Sequence, residues 1–349
     1  MEINSLEDLS PQAIEDRDWD IIMKAVYKTQ TITSTFKTIS VSISGGSDSD
    51  IMLDLLWRNT EDKSKLHFVF FDTGIEYAAT KEHLDFLEQK YGITITRRKA
   101  KVPVPMGCKT YGIPFLSKDW SSKIGSLQHN GFDFAGDGEK TYEELIEKYP
   151  KCKGSIGWWC NKHNMDTFNI AHTKLLKEYM IEHPPTFKIS DRCCWGAKKS
   201  NAHEHAKEIG ADLDCIGVRR AEGGMRATAN TNCFEWREGT LQSYRPLFWF
   251  FDSTKIMYEQ EYGVTHSRCY TEYGMKRTGC AGCPFNSRFQ QDIEILEKYE
   301  PKLLKAINNV FGQSHEYTLA YRQYKEEHSK KPKIQKGQMT IFDTEEKQP

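Results

Sequence analysis

Residues 37–56 read KTISVSISGGSDSDIMLDLL. Lys37–Ser44 alternates and is rich in β-branched residues, which is the pattern of a strand. The segment GGSDSD follows, and then Ile51, Met52, Leu55 and Leu56 recur at helical spacing. Downstream, His67–Phe71 (HFVFF) is a continuous apolar run, the mark of a strand buried on both faces in a parallel sheet. Residues 77–91 pattern as a helix and Ile93–Thr96 as a third strand. This β-α-β-α-β order predicts an α/β fold built on a doubly wound, mostly parallel sheet.

Outward from that core, Ser10 and Pro11 open a helix carrying Ile14, Trp19, Ile22 and Met23, so residues 1–36 are expected to be helical. The α/β rhythm breaks at 101–186, which is rich in Pro, Gly and aromatics. It reads as an insertion or lid with a helix near 162–180. The rhythm returns over 187–290, with a helix near 196–209, a strand at Leu213–Val218, and a strand end followed by a helix between Pro246 and Tyr262. Helices at about 288–309 and 314–328 make 291–328 a helical C-terminal region, and 329–349 reads as a flexible polar tail.

The chain has 349 residues, with 48 Lys and Arg against 49 Asp and Glu and a formal net charge of −1. That balance excludes a protein that binds polyanions by bulk charge alone. No apolar run approaches the roughly 18 residues needed to span a bilayer. The acidic start MEINSLEDLSPQ lacks a signal peptide's apolar region, so a cytoplasmic location is expected. In such a reducing compartment, ten cysteines point to metal binding or catalysis before disulfides.

The Ser44-Gly45-Gly46-Ser47-Asp48-Ser49 loop lies between a predicted strand and a predicted helix. Glycines there let backbone N–H groups approach an anion, and the helix N-terminus adds partial positive charge. The plain alternative is a Gly/Ser turn with Asp48 as helix cap. Among the cysteines, adjacent Cys193 and Cys194 and the distant pair Cys280-Ala281-Gly282-Cys283 can together wrap one metal site. Adjacent side chains seldom chelate one ion well, yet can ligate two irons of a cluster. A 4Fe–4S cluster, structural zinc and a redox dithiol are the three readings. Cys215 reads as a core residue and Cys233 shows no pattern. Cys108, Cys160 and Cys269 are candidate thiols, with an inert cysteine as the alternative for each. Trp158-Trp159 reads as a base-stacking pair or as packing, and His203 and His205 read as solvated on a polar helix.

The string SGGSDS resembles the SGGxDS loop of the PP-loop ATP pyrophosphatases, or adenine nucleotide alpha hydrolases. Asp72-Thr73-Gly74-Ile75-Glu76 resembles the DTG-x-E segment of their phosphoadenosine phosphosulfate (PAPS) reductase branch. Gly217-Val218-Arg219-Arg220-Ala221-Glu222-Gly223-Gly224-Met225-Arg226 resembles that family's G-x-R-x-x-E-x-x-x-R. Pro246-Leu247 with Trp249, Tyr273-Gly274 and Arg277-Thr278-Gly279-Cys280 resemble its C-terminal half. The CC…CxxC pattern, with Lys198-Lys199 after the pair, is similar to that of the iron–sulfur adenylyl-sulfate (APS) reductases. The resemblance makes 37–100 and 187–290 a nucleotide-binding domain. It implies that residues 44–49, Asp72, Thr73, Gly74, Glu76, Arg219, Glu222 and Arg226 bind an adenine nucleotide, ATP or an adenylyl sulfonucleotide. It also implies that Cys193, Cys194, Cys280 and Cys283 hold a 4Fe–4S cluster. For the two arginines the plain alternative is ion pairing with Glu222, and for Asp72 and Glu76 it is helix capping.

Two departures bear on the reaction. The last cysteine is Cys283, so the C-terminal nucleophile of the sulfonucleotide reductases is missing unless Cys108, Cys160 or Cys269 replaces it. The loop also keeps the form seen in relatives that cleave ATP. Both favour an ATP-using, Mg²⁺-dependent enzyme similar to DNA phosphorothioation sulfurtransferases and iron–sulfur tRNA thiolases, with Asp48 at the catalytic loop, a nucleic-acid acceptor and a cysteine desulfurase-like donor. A sulfonucleotide reductase and a non-catalytic nucleotide or nucleic-acid binding module are the alternatives. In the tail, Gln338-Met339-Thr340-Ile341-Phe342 resembles the peptide by which bacterial DNA enzymes dock on the sliding clamp; a chance match is the alternative.

Overall fold

The computed structural model describes residues 10–162, 169–222, 230–236 and 238–329. Strand β1 (Ile39–Ser42) lies between β2 (Leu66–Asp72) and β4 (Leu213–Ile216), both parallel to it. Beyond β2 lies β3 (Ile95–Lys99), also parallel, and beyond β4 lies β6 (Gln242–Tyr244). The short β5 (Phe234–Glu235) closes that edge antiparallel to β6, giving the order β3-β2-β1-β4-β6-β5. Helices cover both faces, so the doubly wound, mostly parallel α/β fold expected from the sequence is the observed one. The order reverses between β1 and β4, and such reversals leave a crevice beyond the carboxyl ends of the strands.

Helix α1 (Pro11–Thr35) begins where expected, with the Ser10 hydroxyl accepting from the Ala13 N–H at 3.2 Å. Helix α2 (Ser47–Asn59) is apolar almost all round, and Ile51, Met52, Leu53, Leu55 and Leu56 are fully buried. They pack with Val41, Phe68, Phe70, Leu213 and Cys215, and with Leu84 and Leu87 of α3 (Ala78–Tyr91). Cys215 is thus the core residue its apolar strand suggested.

One carboxylate in this core is buried outright. Asp54 accepts from the Tyr91 hydroxyl at 2.8 Å, the Tyr258 hydroxyl at 2.9 Å and the Arg58 Nε at 2.7 Å. Burial, reinforced by Asp54, pushes both phenols well above their ordinary range, so they stay protonated donors.

The chain divides into two units, 1–125 with 187–312 and 126–186 with 313–349. The first carries the sheet, α4 (Val104–Tyr111) and α10 (Ser200–Glu208). The second contains α6 (Phe134–Asp137), α7 (Tyr142–Lys148), α8 (Lys153–Trp159) and α9 (Leu176–Glu182), and α5 (Lys118–His129) crosses the division. In the second unit Trp158 and Trp159 are fully buried, and Trp159 packs against Phe132 and Phe134 while its indole N–H donates to the Gly138 carbonyl at 3.0 Å. Packing, not an exposed stacking platform, is the role this pair fills.

Three local expectations are corrected. The helix expected near 162–180 shrinks to α9, because Asn161 and Leu175 take left-handed backbone conformations that interrupt a helix; residues 163–168 lie outside the described residues. The helix expected near 196–209 opens as a π-turn at Trp195–Lys199 before α10 begins. His205 is buried and packs edge-on against Phe71 instead of facing solvent, and burial pushes its imidazole down.

Replacing Asp54 with Ala leaves two buried phenols without their acceptor. Urea unfolding of Asp54→Ala is expected to show a loss of about 3 kcal/mol at unchanged m-value.

Candidate active site

The carboxyl end of β1 runs into residues 44–49, the carboxyl end of β2 into Asp72–Glu76, and that of β4 into Gly217–Arg219, so the topology brings three sequence-predicted segments to one edge. Gly45 adopts a left-handed φ of +68°, and a Cβ there would lie 2.6 Å from Thr80 Cγ2. Only glycine satisfies both conditions. Gly46 is the N-cap of α2, so Asp48 is not the helix cap that the plain reading offered. The Ser49 hydroxyl instead closes the loop internally, accepting from the Gly46 N–H at 3.2 Å and the Ser44 N–H at 3.3 Å and donating to the Gly46 carbonyl at 2.8 Å.

Asp48 is held by two cations. Its Oδ1 lies 3.0 Å from the Arg219 Nε and 3.0 Å from the Lys255 Nζ. Burial works against the Asp48 carboxylate, but Lys255 and Arg219 outweigh it and hold its pKa below the ordinary range. Arg219 is buried and also reaches Asp252 at 2.8 Å. Its side chain therefore does not form the Glu222 pair of the plain reading. Glu222 faces the Arg219 backbone N–H at 3.5 Å and the Arg277 guanidinium at 3.8 Å. Arg226 lies outside the described residues.

Sequence reasoning missed Lys255, Tyr270 and His266. Lys255 donates to the Ser47 hydroxyl. The Tyr270 hydroxyl accepts from the Ser47 N–H at 3.1 Å and the Thr278 N–H at 3.2 Å, tying the Arg277–Cys280 motif to the loop. His266 bridges Asp50 and Glu259, at 2.8 Å from each. None stands in a recognisable spacing; each arrives through packing of the helix Asp252–Tyr262 and the turn Arg268–Thr271.

The second predicted segment folds on itself. Asp72 accepts from the Gly74 N–H at 2.8 Å and pairs with Lys81 at 3.0 Å. Glu76 accepts from the Thr73 hydroxyl at 2.6 Å and the Thr73 N–H at 3.3 Å, so it caps this turn and not a helix. The Thr73 hydroxyl also lies 3.6 Å from the Cys280 sulfur, and the Ala281 N–H donates to the Ile75 carbonyl at 3.1 Å.

The four predicted ligand cysteines interact with one another. Cys193, Cys194 and Cys280 pack in one cluster, and Cys280 and Cys283 lie within electrostatic reach of Cys194 and of each other. Lys198 sits among them; burial opposes its charge, but Cys280, Glu76, Cys194 and Cys283 outweigh that and hold its pKa raised. Burial raises the Cys280 thiol and, with Cys280 beside it, pushes Cys283 up to about 12. Among the described residues, no three His, Cys, Asp or Glu side chains stand as a group that could hold a metal ion. A tetrahedral zinc site would need its sulfurs about 3.8 Å apart, given Zn–S bonds of about 2.3 Å; a cubane, with an iron at each corner it presents, takes its thiolates wider apart.

The three candidate thiols part company. Cys108 is buried on α4 in the same apolar cluster as Cys193, beside the Gly107–Cys193 contact, which makes it a fifth sulfur at the cysteine group. Cys269 is fully buried, 3.8 Å from the Thr80 hydroxyl, and burial raises it. Cys160 belongs to the second unit, where burial again raises the thiol. Cys233, patternless in sequence, accepts from the Lys28 ammonium at 2.9 Å.

The family signal coincides with this edge. Residues 38–132 match the family model of the phosphoadenosine phosphosulfate reductase domain. The resemblance to the PAPS reductase family is borne out. The domain match spans β1 to α5 and so includes the glycine loop and the Asp72–Glu76 turn. Over 92 residues the chain is 34% identical to an uncharacterized protein of Methanocaldococcus jannaschii, covering 26% of this chain and 18% of that relative's length. Among solved structures it is similar to a PAPS reductase from Candida auris in phosphate complex, at 14% identity, with 78% of this chain and 96% of that one covered and a TM-score of 0.40. It is likewise similar to the U34-tRNA thiolase NcsA from Methanococcus maripaludis with its [4Fe-4S] cluster, at 13% identity, 88% and 80% coverage and a TM-score of 0.38. No helix among the described residues is long and apolar enough to cross a membrane.

His266 supplies a pH test. Burial lowers its pKa, but the hydrogen bonds to Asp50 and Glu259 outweigh that and raise it to about 9. Because the folded value exceeds the unfolded one, this stabilisation is complete below about pH 6.5 and is lost as pH rises through about 9. Denaturation of the wild type is expected to lose about 2–3 kcal/mol more than His266→Gln over that window.

Proposed function

We propose that this chain is an adenylating sulfur-transfer enzyme. In this reading an adenine nucleotide binds on the 44–49 loop and a 4Fe–4S cluster on Cys193, Cys194, Cys280 and Cys283. The observation that carries it is the Thr73 hydroxyl, which touches both the Glu76 carboxylate and the Cys280 thiol and so joins the two sites in one hydrogen-bonded turn. The all-sulfur donor set suits the soft chemistry of an iron–sulfur cluster. When bound, the cluster would supply a site for sulfur or redox chemistry.

The chain's own residues have separable roles. The loop amides and Gly45 cradle the phosphates, and Ser47 and Lys255 present a hydroxyl and an ammonium to them. Asp48, kept anionic by Arg219 and Lys255, is the carboxylate available for a Mg²⁺ ion riding on the triphosphate. Cleavage between the α- and β-phosphates would leave an adenylated acceptor oxygen and free pyrophosphate. Sulfur then displaces AMP, which takes the acceptor oxygen with it. The acceptor in this reading is a nucleic acid, and the displacing sulfur is hydrosulfide, released from the persulfide of a cysteine desulfurase-like donor when a second thiol attacks its S–S bond and is oxidised to the disulfide. The clamp-like Gln338–Phe342 segment lies outside the described residues.

Sulfonucleotide reduction is the second reading, favoured only by Cys108 at the cysteine group. The raised thiols of Cys160 and Cys269 weigh against them as nucleophiles.

Anaerobically purified protein incubated with labelled ATP and Mg²⁺ is expected to release pyrophosphate in the presence of acceptor, and Gly45→Val to reduce that release at least tenfold. Sulfite release from PAPS or APS would establish the reductase instead, and neither product would leave a binding module. Iron and sulfide analysis is expected to give about four irons per chain, falling sharply in Cys280→Ser; an iron-free, zinc-loaded protein would refute the cluster.

A further inference from the structure

Two segments that frame the cysteine group carry an unusual surface. Helix α4 brings Cys108, and the turn Arg192–Lys199 brings Cys193 and Cys194; they pack so closely that a Cβ on Gly107 would lie 3.3 Å from the Cys193 Cα. Outside that contact, three large apolar side chains are exposed: Met106 at 55%, Tyr111 at 42% and Trp195 at 63%. The Arg192 guanidinium lies 5.8 Å from the centre of the Tyr111 ring. Neither segment contains an acid, although the chain carries 49, and both contribute exposed cations, Lys109 on one and Arg192 and Lys199 on the other.

Each half of this surface has a physical meaning. Cations without interleaved acids attract a polyanion and release its counterions on binding. An exposed indole on the same turn as Arg192, whose guanidinium meets the Tyr111 ring, offers a flat face to another ring. An acidic protein would satisfy the cations but leave the indole without a matching ring. A duplex would satisfy the cations too, but its base faces are already occupied by stacking. Unpaired bases on a phosphate backbone satisfy both.

We propose that this face, Trp195 and Tyr111 with Arg192 and Lys109, binds a single-stranded segment of nucleic acid and stacks one of its bases on Trp195 beside the cysteine group. The proposal rests on the reading above that the acceptor is a nucleic acid, and it specifies an unpaired strand presented at the cysteine side of the protein.

The test uses the full chain, prepared anaerobically, and fluorescence anisotropy of a short mixed-sequence labelled DNA strand alone and annealed to its complement. The single strand is expected to bind at least about tenfold tighter than the duplex. Trp195→Ala should weaken binding about tenfold and Trp195→Phe should restore most of it, while Tyr111→Ala, further from the ligand cysteines, weakens it as well. Arg192→Ala and Lys109→Ala should each lower the salt slope by about one. Equal binding of duplex and single strand, or no loss in Trp195→Ala, overturns the proposal. So does protection of Trp195 fluorescence by a sulfur-donor protein and not by the strand. Iron content is measured on the same samples, so the two ideas fail separately. Iron-loaded protein without Trp195-dependent binding overturns the platform alone, and iron-free protein that binds through Trp195 overturns the cluster and supports the platform.

Discussion

The Asp48 carboxylate, clasped by Arg219 and Lys255, is the interaction on which this edge of the molecule depends. Asp48 comes from the loop after β1, Arg219 from the end of β4, and Lys255 from a helix that follows β6. Three remote stretches therefore meet on one oxygen atom. Without this anion the buried Arg219 and the half-buried Lys255 would repel each other and face an uncompensated desolvation cost. With it, Lys255 also donates to the Ser47 hydroxyl of the glycine loop, and Arg219 reaches on to Asp252. The ring continues through Glu259, His266 and Asp50, all on or against the first turns that bear the loop. The 44–49 loop is thus tied down at its base by ion pairs and hydrogen bonds.

The cysteine group shows the complementary strain. Four thiols and a fifth, Cys108, are gathered with a lysine in their midst, and burial and mutual contact push the thiols up. Raised pKa values keep these sulfurs as neutral thiols, and a metal bound there would have to displace their protons, because metal binding and thiol deprotonation are coupled. The Thr73 turn links this group to the carboxyl edge of the sheet through two hydrogen bonds. A change in how Glu76 is engaged would be felt at Cys280 with no large movement needed.

Much of the fold was legible because it rests on local periodicity. β1, β2 and β3, the helix between each pair, and the Ser10 cap follow from alternation, apolar runs and capping chemistry, and they fall within a few residues of where the pattern puts them. The region 101–186 was illegible because its helices are short and carry glycines and aromatics, so no window is long enough for a 3.6-residue period to declare itself. His205 was misread for a related reason. Its helix is polar in composition, and only the packing of Phe71 buries the ring.

By itself the sequence determined the parallel sheet, the glycine loop and the two pairs of cysteines, because strand order, a strand–loop–helix junction and thiol spacing are short-range properties. It also supplied the Arg219 motif as a string, without saying what the guanidinium would touch. Tertiary structure alone decided that Arg219 clasps Asp48 and not Glu222, that Lys255, Tyr270 and His266 belong to the loop, and that Cys108 joins the four other cysteines. Those contacts join residues up to 223 positions apart, and nothing in the neighbourhood of either partner encodes the other. They exist because the strand order reverses between β1 and β4, which brings the ends of separate segments to one edge.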